Sequence, residues 1–301
     1  MRAVGLVTGG HYFHKLIMEA NNAKMYNMGS GINRYFKELI GLPTGYDMYI
    51  TESNFYSPII SEKLLRGKRP IVANIAGSPF IYTNPLAKLF LNGIDYMFVE
   101  GRFGEEMIRK IGYKNKVKIV YPSLMKDRIK ILREFKYKPP KNMQITTVAN
   151  GNWKIKGVDI LVRGVGEFNP EAKINIIGES DYRPKSENII MHGKLDFDGI
   201  IKVFENTSVY VQSSRFDTFS ISAMEAVLAG IPTIVSNMCG AREILGDKYT
   251  FASGDYHSLD SILEVVCKDL AGASVEMKKR GVDYIKNVSS AKEDLVIREV
   301  R

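Results

Sequence analysis

Cysteine is scarce in this 301-residue chain: Cys239 and Cys267 stand alone, 28 positions apart, with neither metal-ligand nor redox spacing. The sequence therefore predicts no disulfide framework and suits a reducing, cytoplasmic setting. Long apolar runs are missing too. The longest falls far short of the ~18 residues that cross a bilayer, and the start carries no signal-peptide pattern. Of four histidines, His11 and His14 are three apart, but no third ligand lies nearby and no metal site is expected. The net charge is +9 and the pI near 9.3, which invites a polyanionic partner. The lysines and arginines spread through both halves, however, without interleaved stacking aromatics or an RNA-binding signature, so no nucleic acid is expected.

What remains is an ordinary globular composition, 45% apolar and 25% charged, long enough for two domains with a core each. The densest basic stretch, from Lys126 to Arg133 and on to Lys138, reads either as an amphipathic element facing anionic lipid or as a linker helix. Pro139-Pro140 follow it and mark the expected boundary, giving domains 1–138 and 139–301.

Short apolar runs alternate with helical patterns along the first half. Strands are expected at 3–7, 48–50, 71–75, 96–99 and 117–120, with helices near 58–66, 84–93 and 103–111. That alternation argues for α/β architecture with a parallel, doubly wound sheet. A polar segment up to Met28 reads as irregular, and Gly29-Ser30-Gly31 opens a further helix. Glu52, after the second strand, is the nearest polar candidate on that side. The second half repeats the architecture, with strands at 145–149, 174–177, 189–193, 209–211, 233–235 and 249–251. Asp196-Phe197-Asp198 has the Asp-x-Asp form of a divalent-metal motif, yet it directly precedes a helical pattern, and capping accounts for it without metal.

One stretch organises the chain: Ser213-Ser214-Arg215-Phe216-Asp217-Thr218-Phe219-Ser220-Ile221, then Glu225-Ala226, then Gly230-Ile231-Pro232. It reads as strand, loop, helix and strand, the helix starting near Phe219 and stopping at Gly230. Asp217 falls at the helix mouth and Glu225 two turns in. The N–H groups of Phe219, Ser220 and Ile221 at that mouth are expected to be free for an anion. Met224, Ala226, Val227 and Ala229 make this helix apolar almost all round, so Glu225 needs a partner.

The spacing of Asp217, Phe219, Glu225, Ala226, Gly230 and Pro232 resembles the donor-site signature of the retaining GT-B glycosyltransferases, in particular family 4 (glycosyl transferases group 1). Gly31-Ile32-Asn33-Arg34-Tyr35 is similar to their glycine loop, and Lys156-Gly157 to their Lys-Gly helix start. The resemblance implies two Rossmann-like doubly wound domains facing across a cleft. It also implies a last helix, about 283–301, that packs back on the first domain. The implied activity moves a hexose from a UDP- or GDP-sugar to an acceptor hydroxyl, with retention of configuration and no metal or other cofactor. The acceptor would be a sugar, a lipid-linked sugar or a protein glycan, and the protein would be cytoplasmic, with peripheral contact to anionic membrane. Carried over position by position, Asp217 would contact the transferred sugar. Glu225 would bind ribose, and Gly31, Lys156, Gly178, Phe219, Ser220 and Ile221 would hold the rest of the donor.

The match has departures. Thr218 and Ser220 stand where the family has glycines, and Asp217 where it has Glu. Gly151 takes the place of a diphosphate-binding Arg, which Lys154 could replace only along a different loop path. Ala76 takes the place of a cleft histidine. These changes leave open a non-catalytic nucleotide-sugar binder, or another GT-B enzyme such as an epimerase or hydrolase.

Overall fold

The computed structural model describes residues 1–7, 12–27, 42–52, 56–77, 80–83, 85–290 and 295–297. The chain forms two compact units, Met1–Ser123 with Val288–Arg301, and Leu124–Asn287. Each is built on a six-stranded sheet in which every pairing is parallel.

In the first unit the strands are β1 (Ala3–Val7), β2 (Ala23–Asn27), β3 (Met48–Thr51), β4 (Ile71–Ile75), β5 (Tyr96–Glu100) and β6 (Lys116–Val120), in the order β2-β1-β3-β4-β5-β6. The central strands are buried along their whole length, as a sheet covered on both faces requires. The segment expected to be irregular instead forms helix α1 (Tyr12–Ala20) and strand β2. Phe13, Ile17 and Met18 bury one face of α1, whereas β2 is an exposed edge strand. An edge strand needs no buried face to pair, which is why Ala-Lys-Met-Tyr-Asn, with Met25 and Tyr26 exposed, did not announce it. Asn21 ties the chain's end to this unit: its Nδ2 donates to the Leu295 carbonyl at 2.8 Å, and its Oδ1 accepts from the Ile297 amide at 2.7 Å. The helix expected after Gly31, and Gly31 itself, lie outside the described residues.

The second sheet runs β12-β11-β10-β7-β8-β9, from β7 (Gln144–Val148), β8 (Lys173–Ile177), β9 (Ile189–Gly193), β10 (Val209–Gln212), β11 (Thr233–Ser236) and β12 (Thr250–Phe251). Strand order reverses between β7 and β10. The loops leaving their carboxyl ends therefore diverge to opposite faces and leave a crevice, the usual ligand position in such sheets. Helix α2 (Lys126–Glu134) precedes Pro139-Pro140 yet belongs to this second unit, whose division from the first follows Ser123.

Candidate functional site

The crevice is framed by three segments. After β7 the chain passes through Gly151–Lys156 into helix α3 (Val158–Phe168). After β10 it passes through Ser213–Ser220 into helix α4 (Ile221–Ala229). After β11 comes the loop through Cys239. The first two loops are locked together at Gly157, which has φ +66° and stands so close to β10 that a Cβ would lie 1.9 Å from the Ser213 carbonyl oxygen. Ser213 Oγ donates to the Gly157 carbonyl at 2.8 Å, and Arg215 Nη1 to that of Lys154 at 2.6 Å. Arg215 also makes a forked pair with Asp159, at 2.8 and 2.7 Å. The third loop braces the second: the Asp217 amide donates to the Met238 carbonyl at 3.0 Å, and the Gly240 amide to that of Asp217 at 3.0 Å.

This frame brings Lys156 and Asp217 together, Nζ to Oδ2 at 2.8 Å. Burial alone would lower the lysine's pKa, but the Asp217 charge and hydrogen bond outweigh it and raise the ammonium's pKa above the usual lysine range. The cation is therefore fixed at the mouth of α4. Among the described residues the amides of Ser220 and Ile221 have no partner, as expected. The Phe219 amide is different: it donates to Asp217 Oδ1 at 3.3 Å, and the Phe219 ring is fully buried, stacked on Tyr284 at 5.7 Å. Phe219 thus shapes the loop from beneath, and two amides rather than three are without a partner among the described residues.

Ser220 occupies left-handed backbone, φ +70° and ψ 88°, at a position where the family pattern has glycine. Its hydroxyl compensates in part. Oγ donates to Gln212 Oε1 at 3.2 Å and accepts from the Ala223 amide at 3.4 Å, capping the helix. Gln212 also accepts from Tyr210 Oη at 2.7 Å and donates to Ser214 Oγ at 2.8 Å. A buried polar network therefore underlies the helix mouth. It went unread in the sequence, where Tyr210 and Gln212 look like strand residues.

Glu225 is almost fully buried, and its partner is Arg128 of α2, Nη1 to Oε1 at 2.6 Å. Burial pushes the Glu225 carboxyl up, and Arg128 offsets part of that rise. The guanidinium also lies over the Phe197 ring at 4.7 Å. Lys278 Nζ closes the far end of α2, donating to the carbonyls of Leu132, Arg133 and Phe135 at 3.1, 3.1 and 2.9 Å. The need for a partner was legible from the apolar helix; that it comes from the basic stretch was not.

Gly178 has φ +119°, and a Cβ there would fall 2.5 Å from Asn150 Oδ1. It lets the turn after β8 press against the loop after β7, beside an open depression of about 600 Å³ lined by Gly151, Asn152, Glu179, Ser180 and Asp181. Lys154 directs its ammonium to the Trp153 ring, 5.5 Å from the centroid. Asp196 caps helix α5 (Phe197–Phe204), accepting from the Gly199 amide at 2.8 Å. His192 bonds Asn175 Oδ1 at 2.9 Å. Among the described residues no three His, Cys, Asp or Glu side chains are grouped to hold a metal ion.

Two Rossmann-like units with this crevice architecture define a GT-B glycosyltransferase fold. Solved structures similar to the whole chain agree: sucrose-phosphate synthase of Thermosynechococcus elongatus (14% identity, TM-score 0.71, covering 98% of this chain and 96% of that one) and Anabaena HepE in complex with UDP-glucose (12%, 0.70, 98% of each). The family described as glycosyl transferases group 1 matches residues 129–280, half of the chain, and the chain belongs to it. Curated relatives are an uncharacterized 41.2 kDa protein in the cps region of Klebsiella pneumoniae (26% identical over 51% of this chain and 45% of that protein) and an uncharacterized glycosyltransferase of Methanocaldococcus jannaschii (29% over 30% and 26%). The chain thus spans less than half the length of the curated relatives it matches.

Proposed function

We propose that this protein is a retaining, metal-independent hexosyltransferase that takes a UDP- or GDP-sugar as donor. The observation that carries the reading is the Lys156–Asp217 pair at the mouth of α4, beside the two unpartnered amides of Ser220 and Ile221. A diphosphate would accept from those amides, where the helix dipole also favours negative charge. Lys156 would divide its donors between Asp217 and a phosphate oxygen, which an ammonium with three protons can do. Charge growing on the departing diphosphate then meets donors already in place, each worth ~3–4 kcal/mol in comparable sites. Asp217 keeps a carboxylate for the hydroxyls of the transferred sugar, and Glu225, four residues after Ile221 on the same helix face and paired with Arg128 at 2.6 Å, would have to exchange that pair in order to accept from ribose. Anabaena HepE holds UDP-glucose and a trehalose-6-phosphate enzyme of E. coli UDP-2-fluoro glucose on the same fold, which supports a UDP-sugar first.

A non-catalytic nucleotide-sugar binder is the second reading. It is favoured by Gly151, which offers no side chain where the family has arginine and leaves nothing within 4 Å of where a Cβ would stand. A panel of UDP-, GDP- and ADP-sugars, scored by thermal shift and by release of nucleoside diphosphate in a broad acceptor mixture, separates the two. The transferase gives stabilisation with release, and Asp217→Ala abolishes release while keeping most of the stabilisation. Stabilisation without release in the native protein would favour the binder, and neither signal would remove both.

A further inference from the structure

Gln212 is the last residue of β10, a central strand that is buried along its whole length and paired on both sides. A carboxamide there is costly unless its polar atoms are bonded, and an apolar residue would fill the place without that demand. Its side chain bonds to Tyr210, two back on the same face of the strand, and to the loop and helix mouth that follow. Oε1 accepts from Tyr210 Oη at 2.7 Å and from Ser220 Oγ at 3.2 Å, while Nε2 donates to Ser214 Oγ at 2.8 Å. Tyr210 Oη also lies 2.8 Å from Ser222 Oγ. Burial pushes the Tyr210 phenol well above its ordinary range, so its proton stays in place to be donated. One amide and one phenol thereby join the start of the loop at Ser214, the residue before α4 at Ser220, and the first turn of α4 at Ser222.

Two bonds act on the Ser220 hydroxyl, and their roles differ. The bond from the Ala223 amide, at 3.4 Å, is an ordinary helix cap, which serine makes from extended backbone. That cap does not by itself call for the observed φ of +70°. The bond to Gln212 is the added constraint. Glycine, which the family pattern has at this position, takes left-handed backbone without support. An L-residue released from Gln212 would relax toward the extended region that capping residues prefer. The N–H groups of Ser220 and Ile221 belong to the two peptide planes that the φ and ψ of Ser220 join. Their relative direction would change with it.

We infer that Gln212 is a positioning residue for the donor: through Ser220 it fixes the relative orientation of the two amides that meet the diphosphate. The inference rests on the donor site proposed above and adds to it a side chain buried too deeply to touch the donor. A hydrogen bond here does what the missing Cβ of glycine does in the family pattern.

The test is a double-mutant cycle on the intact protein, read as UDP affinity by titration calorimetry beside thermal unfolding. Gln212→Met keeps the side chain's length and removes its amide. It is expected to weaken UDP binding about tenfold or more, the worth of misdirected bonds to a charged group. In the Ser220→Gly background the same substitution is expected to change affinity by less than about twofold, because glycine needs no bond to hold this backbone. The loss of thermal stability from Gln212→Met should remain in both backgrounds, since Tyr210 and Ser214 lose their partner in each. A merely structural role would instead make affinity follow stability. Ser220→Ala removes the hydroxyl but keeps an L-residue, and should lower affinity as Gln212→Met does; it carries the test if Gln212→Met fails to fold. Equal loss of affinity in both backgrounds, or native affinity in Gln212→Met or Ser220→Ala, would overturn the positioning role and leave the donor site standing. Lys156→Ala reports on that site itself. UDP binding that ignores Lys156→Ala, or native protein that binds neither UDP nor GDP, would remove the donor reading and the positioning role with it.

Discussion

At Ser220 an L-residue holds backbone that costs roughly 1–2 kcal/mol for anything but glycine. Its hydroxyl cap returns only part of this, since replacing a Ser cap by Gly typically loses a few tenths of a kcal/mol. Ser220→Gly is therefore expected to leave the fold intact and raise stability by up to about 1 kcal/mol in urea unfolding, whereas Ser220→Val destabilises by at least that much. Arg128 presents the opposite case. Removing one partner of a buried pair costs ~3–5 kcal/mol, but a third of the Arg128 side chain reaches solvent, so Arg128→Ala should cost nearer about 2 kcal/mol. That penalty is pH-dependent. Glu225 already has a raised pKa from burial, and loss of Arg128 raises it further. A carboxyl whose folded pKa exceeds its unfolded one binds more protons when folded, so stability falls as pH rises through that window. The Arg128→Ala penalty should accordingly shrink as the pH is lowered toward the carboxylate range; a penalty unchanged between neutral and mildly acidic pH would contradict the assignment of Glu225 as the group left uncovered.

At the scale of elements, α1, β3 and β5 converge on a second buried charge cluster in the first unit. His14 Nδ1 is 3.1 Å from Glu52 Oε1, and Nε2 is 3.7 Å from Glu100 Oε1. Gly77 passes within 3.1 Å of both His14 and Glu100, measured from where a Cβ would stand, and Tyr82 lies near Glu100. Burial would lower the pKa of His14, but Glu100 and Glu52 raise it to about 9. The stability this contributes is fully present below the unfolded value of 6.5 and is lost as pH rises through about 9, amounting to at most about 3 kcal/mol. Thermal unfolding followed across that range should show the loss in the native protein and a flatter profile in His14→Gln. Neither His14 nor its carboxylate partners could be paired from sequence, because no periodicity reveals which turns of three separate elements meet. The same limit hid Arg128: a run of basic residues looks alike whether a face is solvated or packed. What sequence did reveal were features with local causes. The α4 mouth, the Asp196 cap and the turn at Gly178 are each fixed by residues within a few positions. Strand β2 was missed because a short, exposed edge strand has no buried face to set a period, and Phe219 was misread because its amide bond to Asp217 depends on loop geometry.

For the molecule as a whole, two units of like architecture carry unlike charge, +7 and +2, and the family match falls on residues of the second. That division suits the proposed reading, in which the second unit holds the donor. Among the described residues no helix is long and apolar enough to cross a membrane. The central claim, that the diphosphate of a nucleotide-sugar lies on the amides at the start of α4 beside Lys156, is tested most directly by amide hydrogen exchange in the intact protein with and without saturating UDP. The account predicts slowed exchange confined largely to the segments around Ser220–Ser222 and Asn152–Gly157, and its loss in Lys156→Ala. Saturable UDP binding that leaves both segments exchanging at the unliganded rate would contradict it.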